Sequence, residues 1–228
     1  WGSGEHTEGG HAYKIDRGDT RLTEDEIRQI HLPPYLEAIK AGVKTVMISF
    51  NSWNGVQCHG NKFLINDLLK DELGFEGLVV TDWAGIDAIP GDYKSDVITS
   101  INAGIDLVMV PGSLFGNNHY KTFIQFLKEG VNEGSVPMSR IDDAVRRILS
   151  VKYDLDLFNT PFANPEHAKI FGSESHRNIA RSAVQKTMVL LKNHKSVLPL
   201  KKSVGVTVVG SAANNIGIQN GGWTVEWQ

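Results

Sequence analysis

An α/β architecture built from parallel βαβ units is predicted for this chain by three observations. Short apolar, β-branched runs recur at residues 44–50, 77–81 and 104–111. The stretches between them carry apolar residues at helical spacing. Gly42 and Gly74 stand where the stretches before the first two runs should stop, because glycine takes the left-handed conformation that ends a helix. The 228 residues are 41% hydrophobic and 21% charged with a net charge of −3, the balance of a globular chain that buries a core. No stretch approaches the roughly 20 uninterrupted apolar residues of a membrane helix. With 23 Lys and Arg against 26 Asp and Glu, there is no basic excess to attract nucleic acid. The single Cys58 excludes an internal disulfide framework and a zinc site of the CxxC kind.

Taken in order, the first twenty residues are rich in Gly, His and Asp and read as an exposed loop. Thr23-Glu24-Asp25-Glu26 then opens a helix with its acids in the first turn, and the helix must bend near Pro33-Pro34. Tyr35, Leu36 and Ile39 resume the period up to Gly42, and residues 44–50 form a buried strand. A polar loop from Asn51 to Gly60 leads to helical spacing over residues 61–70, then to a second strand over 77–81. A helix over residues 95–103 precedes the third strand, 104–111, and another helix covers residues 120–130. Ser139-Arg140-Ile141-Asp142 reads as a capping box, with Ile141, Val145, Ile148, Leu149 and Tyr153 on one helical face. Arg146, Arg147 and Lys152 form the opposite, solvated face.

Residues 156–171 contain Pro161 and Pro165 and read as a linker. A helix over 174–186, a strand over 188–192 and a buried strand over 204–210 follow. The expected organisation is half of a (β/α) barrel before residue 160 and the opening of a second α/β domain after it. The chain starts at Trp1 and stops at Gln228, after Gly221-Gly222-Trp223-Thr224-Val225-Glu226-Trp227, and is expected to be a piece of something longer.

In a parallel (β/α) architecture the C-terminal ends of the strands form the open face where chemistry collects. Asp82 follows the second strand directly and precedes Trp83, so a carboxylate stands beside a large flat apolar surface. That pairing suits a sugar, whose anomeric carbon a carboxylate can attack and whose C–H face packs on an indole. The alternative is that Asp82 caps the next turn. Phe50 and Trp53 belong to the corresponding loop of the preceding strand and read as packing residues; Asp106 reads as a turn or cap residue. Cys58 and His59 are adjacent without further ligands, and His6, Glu8 and His11 lack a helical i, i+4 pair, so no metal is implied. Gly210-Ser211-Ala212-Ala213-Asn214 lacks the spacing of a dinucleotide loop, and no cofactor is expected. By spacing alone, Trp223 and Trp227 read as core aromatics.

The string Gly77-Leu78-Val79-Val80-Thr81-Asp82-Trp83-Ala84-Gly85-Ile86-Asp87, after Met47-Ile48-Ser49-Phe50-Asn51-Ser52-Trp53-Asn54-Gly55, closely resembles glycoside hydrolase family 3, in its β-glucosidase and exo-β-glucanase branch. Residues 102–111, 136–149, 189–193 and 221–228 agree with that family in the same order. The resemblance implies the C-terminal part of a (β/α)8-like TIM barrel, residues 1–158, a linker, 159–175, and the start of an α/β sandwich, 176–228. It implies a retaining O-glycosyl hydrolase acting on terminal β-linked glucosyl residues of a β-glucoside or β-glucan oligosaccharide, in the periplasm or outside the cell. Asp82 then matches the nucleophile, Trp83 the indole of the acceptor subsite and Trp227 the second indole of that clamp.

Phe50 falls where the best-known plant members have a Tyr close to the sugar, and Ala88 where they have an Arg. The family's Lys-His pair would sit just upstream of Trp1. A retaining mechanism needs two carboxyl groups about 5 Å apart. Asp82 supplies one, and the resemblance assigns the acid/base to the second domain beyond Gln228, so Glu226 is not that residue. The 228-residue piece alone is therefore expected to be inactive. A non-catalytic carbohydrate-binding or interaction module derived from such a barrel is the competing reading; β-xylosidase and exo-1,3/1,4-β-glucanase activities are the alternatives within the enzymes.

Overall fold

The computed structural model describes residues 4–8, 11–15, 18–111 and 120–220. The chain divides into two compact units, Trp1–Ala163 and Asn164–Gln228. The first opens on β1 (Gly4–Glu8) and β2 (His11–Ile15), paired antiparallel with Glu8 opposite His11. Residues 4–8 and 11–15, expected to belong to an exposed loop, are thus paired strands. Next come β3 (Asp19–Thr20), α1 (Glu24–Ile30), α2 (Leu32–Lys40), β4 (Thr45–Met47), β5 (Ser52–Trp53) and β6 (Val56–Gln57). A π-helix over Phe63–Glu72, β7 (Leu78–Val80), α3 (Tyr93–Ala103), α4 (Tyr120–Asn132) and α5 (Met138–Asp154) complete the unit.

Thr23 caps α1 in a capping box: its hydroxyl accepts the Glu26 N–H at 3.3 Å and the Glu26 carboxylate accepts the Thr23 N–H at 2.8 Å. The chain turns at His31 rather than at the prolines. Pro33 and Pro34 lie in the first turn of α2, where their missing N–H groups leave no hydrogen bond broken. The capping box expected at Ser139 is absent as well, because α5 begins two residues earlier, with Pro137 at its N-cap, and Ser139 lies inside it.

β4 and β7 pair in parallel, Thr45 opposite Leu78 and Met47 opposite Val80. The third predicted strand is a single parallel bridge from Val80 to Leu107. The two faces of β7 are covered differently. Val79 points into a core of Ile65, Leu69, Phe75, Ala103 and Ile105, onto which Ile39, Val43 and Val46 also pack. Leu78 and Val80 pack instead against Val151 and Ile148 of α5. A second core, Ile86, Ile89 and Val97, is closed by Phe123, Phe126 and Leu127 of α4. This accounts for the high β-branched content of the strands, since every position of β7 is buried.

Two expectations about charge are overturned at the N-terminal end of β7. Asp106 is not a turn residue: its side chain is fully buried, accepting from Lys70 Nζ at 2.8 Å and from the Val79 N–H at 2.8 Å. Arg140 bonds both Asp106 and Asp143. Nor is Arg147 solvated; it pairs with Asp143 at 3.1 Å and donates to the carbonyls of Phe75 at 2.6 Å and Gly77 at 3.0 Å. Gly77 itself is required there, since a Cβ would come within 2.3 Å of the Lys44 carbonyl oxygen.

The second unit contains a 3-10 turn at Pro165–Lys169, α6 (Glu174–Thr187) and α7 (Ile216–Asn220). Residues 188–192 and 204–210, expected as strands, have no ladder among the described residues. Val189 and Leu191 are 76% and 91% exposed. An apolar β-branched run is a strand only once neighbouring backbones take its N–H and C=O groups.

Candidate functional site

Phe50 and Asp82 both lie just beyond the C-terminal ends of the parallel strands β4 and β7. The backbone after β7 is fixed group by group. Thr81, wholly buried, donates its N–H to the Leu107 carbonyl at 3.0 Å, while its hydroxyl accepts the Met109 N–H at 2.8 Å. The Met109 carbonyl in turn accepts the Ala84 N–H at 3.1 Å, and the Asp82 carbonyl accepts the Gly85 N–H at 3.0 Å. Ala84 lies in the left-handed region at φ 52°, which turns the chain sharply. The result is an elbow with Asp82 at its apex, partly exposed, and its Oδ1 accepting the Trp83 N–H at 2.6 Å. Trp83 is 50% exposed, so a large part of its indole surface is open beside the carboxylate.

His59 is the residue that sequence reasoning missed. Read as part of an ordinary loop, it is fully buried, and its Nε2 accepts the Asp82 backbone N–H at 3.2 Å. Its ring stands 5.6 Å from that of Phe50, centroid to centroid. Burial alone pulls its pKa down to about 4, so the imidazole is neutral over the ordinary pH range. Gly85 is the signal that could have found it: a Cβ there would lie 2.1 Å from His59 Nε2, so the glycine of the Asp82-Trp83-Ala84-Gly85 string makes room for a neighbour. Beside His59, burial raises the Cys58 thiol to about 11, which leaves it an unreactive thiol.

The loop from Asn51 to Gly60 is held by Asp19, whose carboxylate accepts from the Gly55 N–H and the Ser52 hydroxyl, each at 2.8 Å. Those bonds, the Gly55 amide first, hold the Asp19 carboxyl below the usual value. Trp53 donates its indole N–H to the Leu22 carbonyl at 2.8 Å and stacks near Phe63, as a packing residue does. Asp82, Trp83 and Phe50 are thus gathered at one end of the parallel pair, with His59 beneath them. Trp227, Trp223 and Glu226 lie outside the described residues. No group of three His, Cys, Asp or Glu side chains suited to a metal ion occurs among the described residues, and no helix there is long and apolar enough to cross a membrane.

Comparison with known proteins gives this geometry its context. The chain is 37% identical over 224 residues to the lysosomal beta glucosidase of Dictyostelium discoideum, spanning 93% of this chain and 26% of that protein. It is 33% identical to the periplasmic beta-glucosidase of Salmonella typhimurium, over 95% of this chain and 28% of that one. Among solved structures, the exo-1,3/1,4-beta-glucanase of a Pseudoalteromonas species superposes with a TM-score of 0.79 at 43% identity, covering 97% of this chain and 27% of the other. The chain thus spans about a quarter of the length of these relatives. Residues 2–151 match the model of the glycosyl hydrolase family 3 N terminal domain, and the chain belongs to that family.

Proposed function

We propose that the protein carrying this chain is a retaining β-glucosidase-like hydrolase in which Asp82 is the nucleophile. One observation carries the reading: a partly exposed carboxylate, held at the apex of a rigid elbow beyond a parallel strand, stands beside an open indole in a chain of this family. In the first step an Asp82 oxygen bonds to the anomeric carbon as the glycosidic C–O bond breaks, and a general acid protonates the departing oxygen. Water then adds to the anomeric carbon, releasing the sugar and freeing the carboxylate. The Trp83 indole offers its face to the sugar ring, and Phe50 offers an apolar edge where a hydroxyl contact is missing. Trp227 is assigned to the same clamp.

The two units correspond, in this reading, to the last part of a (β/α)8-like barrel and the start of a sandwich domain, with the linker at 159–175. The relatives' names, one lysosomal and one periplasmic, support action outside the cytoplasm.

The test uses the full-length protein and a 2-deoxy-2-fluoroglucoside, which traps the glycosyl-enzyme. Mass spectrometry of the digested protein is expected to find the sugar on Asp82. Asp82→Ala is expected to lower turnover of an aryl β-glucoside by roughly three orders of magnitude or more. A label on another residue, or undiminished turnover by Asp82→Ala, overturns the assignment. Parallel assays with an aryl β-xyloside and with 1,3- and 1,4-linked glucans decide among the enzyme alternatives.

A further inference from the structure

Beyond Val80 the N–H groups of the elbow end on three kinds of acceptor. Thr81, Ala84 and Gly85 donate to backbone carbonyls, and Trp83 donates to the Asp82 side chain. The Asp82 N–H goes to a side chain of a different element, Nε2 of His59. His59 is itself rigidly placed. It sits in the short 3-10 turn Cys58–Gly60, anchored by Cys58 N–H to the Asn51 carbonyl at 3.0 Å and Asn61 N–H to the Cys58 carbonyl at 3.1 Å. Phe50 flanks its ring, and Gly85 leaves the space into which Nε2 projects.

Packing does not account for a histidine at this position. With Nε2 accepting, the neutral ring carries its proton on Nδ1, and Nδ1 is buried with no partner among the described residues. An unpaired buried N–H is destabilising, and an apolar residue of similar volume would avoid it. What the histidine supplies and Leu or Phe cannot is the Nε2 lone pair aimed at the Asp82 amide.

We propose that His59 is a positioning residue of the glycosidase site, its Nε2 fixing the Asp82 backbone so that the carboxylate is aimed before the sugar arrives. This rests on the function proposed above. The low pKa of the ring keeps the lone pair available, and a preset nucleophile spares the reaction a reorganisation step.

The experiment compares wild type, His59→Gln and His59→Leu in the full-length protein. Gln can place Oε1 near the position of Nε2, whereas Leu keeps the volume and removes the acceptor. The rate constant for trapping by the fluoroglucoside is expected to fall about 100-fold in His59→Leu, with its dissociation constant within about threefold, and to recover to within about tenfold of wild type in His59→Gln. Residue-resolved hydrogen exchange is expected to show the Asp82 amide protected in wild type and His59→Gln and exchanging at least about 10-fold faster in His59→Leu. Trapping by His59→Leu at the wild-type rate overturns the proposal, as does equal loss in both variants. If wild type is not trapped at Asp82, the glycosidase reading fails; the amide exchange then decides separately whether His59 holds Asp82, and equal exchange in wild type and His59→Leu says it does not.

Discussion

His59 leaves a signature in the pH dependence of stability. Its pKa in the fold is about 4 against an ordinary 6.5, so between those values the unfolded chain takes up a proton that the folded chain refuses. Stability from this residue is therefore complete above pH 6.5 and falls as the pH drops towards 4, by roughly 3 kcal/mol over the window. Asp96 works against it. Burial first, then Asp87 and Asp92, raise its carboxyl to about 6, so its effect on stability improves as the pH falls from 6 towards 3.8. Asp96 is common to both proteins when wild type is compared with His59→Gln, so the difference between their urea midpoints at pH 7 and pH 5 isolates His59. The wild type is expected to lose more on acidification.

At this scale the sequence was informative where a residue's role is announced by its neighbours along the chain. Asp82 beside Trp83, straight after a buried apolar run, could be picked out from the string alone. His59 and Asp106 could not, because their partners are distant: Asp82 is 23 residues from His59, and Lys70 and Arg140 are 36 and 34 residues from Asp106.

Among elements, β7 is fastened from below. Asp106 takes the Val79 N–H, Lys70 and Arg140 neutralise it, and Arg147 occupies the carbonyls of Phe75 and Gly77 just ahead of the strand. Burial pulls the Lys70 pKa down, and Asp106 partly restores it. Removing Asp106 leaves Lys70, in a desolvated site, with only the Asp143 carboxylate at 3.7 Å to balance its charge. Asp106→Ala is expected to destabilise the protein by about 3–5 kcal/mol, measured as a lower urea midpoint with an unchanged slope. A change below about 1 kcal/mol would show the cluster to be ornamental. The elements legible in the sequence were those whose caps and periods are local: α1 behind Thr23, α3 ending at Gly104, α6 over residues 174–187. The pairing of β1 with β2 and the start of α5 behind Pro137 were less legible, because neither is announced by apolar periodicity.

On the scale of the whole molecule the two units differ in how their apolar residues are used. The first unit folds its strands into shared cores, with Val79, Val97 and Ile105 at 0% exposure. The second presents Val189, Leu191 and Val209 at 76% to 91% exposure. Amides of residues 188–192 and 204–210 in this 228-residue chain are expected to exchange at close to unfolded rates, whereas those of Leu78–Val80 should be among the slowest, as read by hydrogen–deuterium exchange with mass spectrometry. Slow exchange at 188–192 would mean that the predicted strand does find a partner. Alternating strands and helices were readable from periodicity in the first unit because local pattern and tertiary contact agree there; in the second the pattern is present without pairing among the described residues.

The charged fastening reaches β7 at the Val79 N–H, and the elbow begins two residues further on, at Thr81. That separation bears on how such a protein can diversify. Substitutions in the loop beyond Val80 can alter the elbow without touching the charged cluster that keeps the strand in place. His59, which takes the Asp82 amide from another element, is the tie that any such remodelling has to respect.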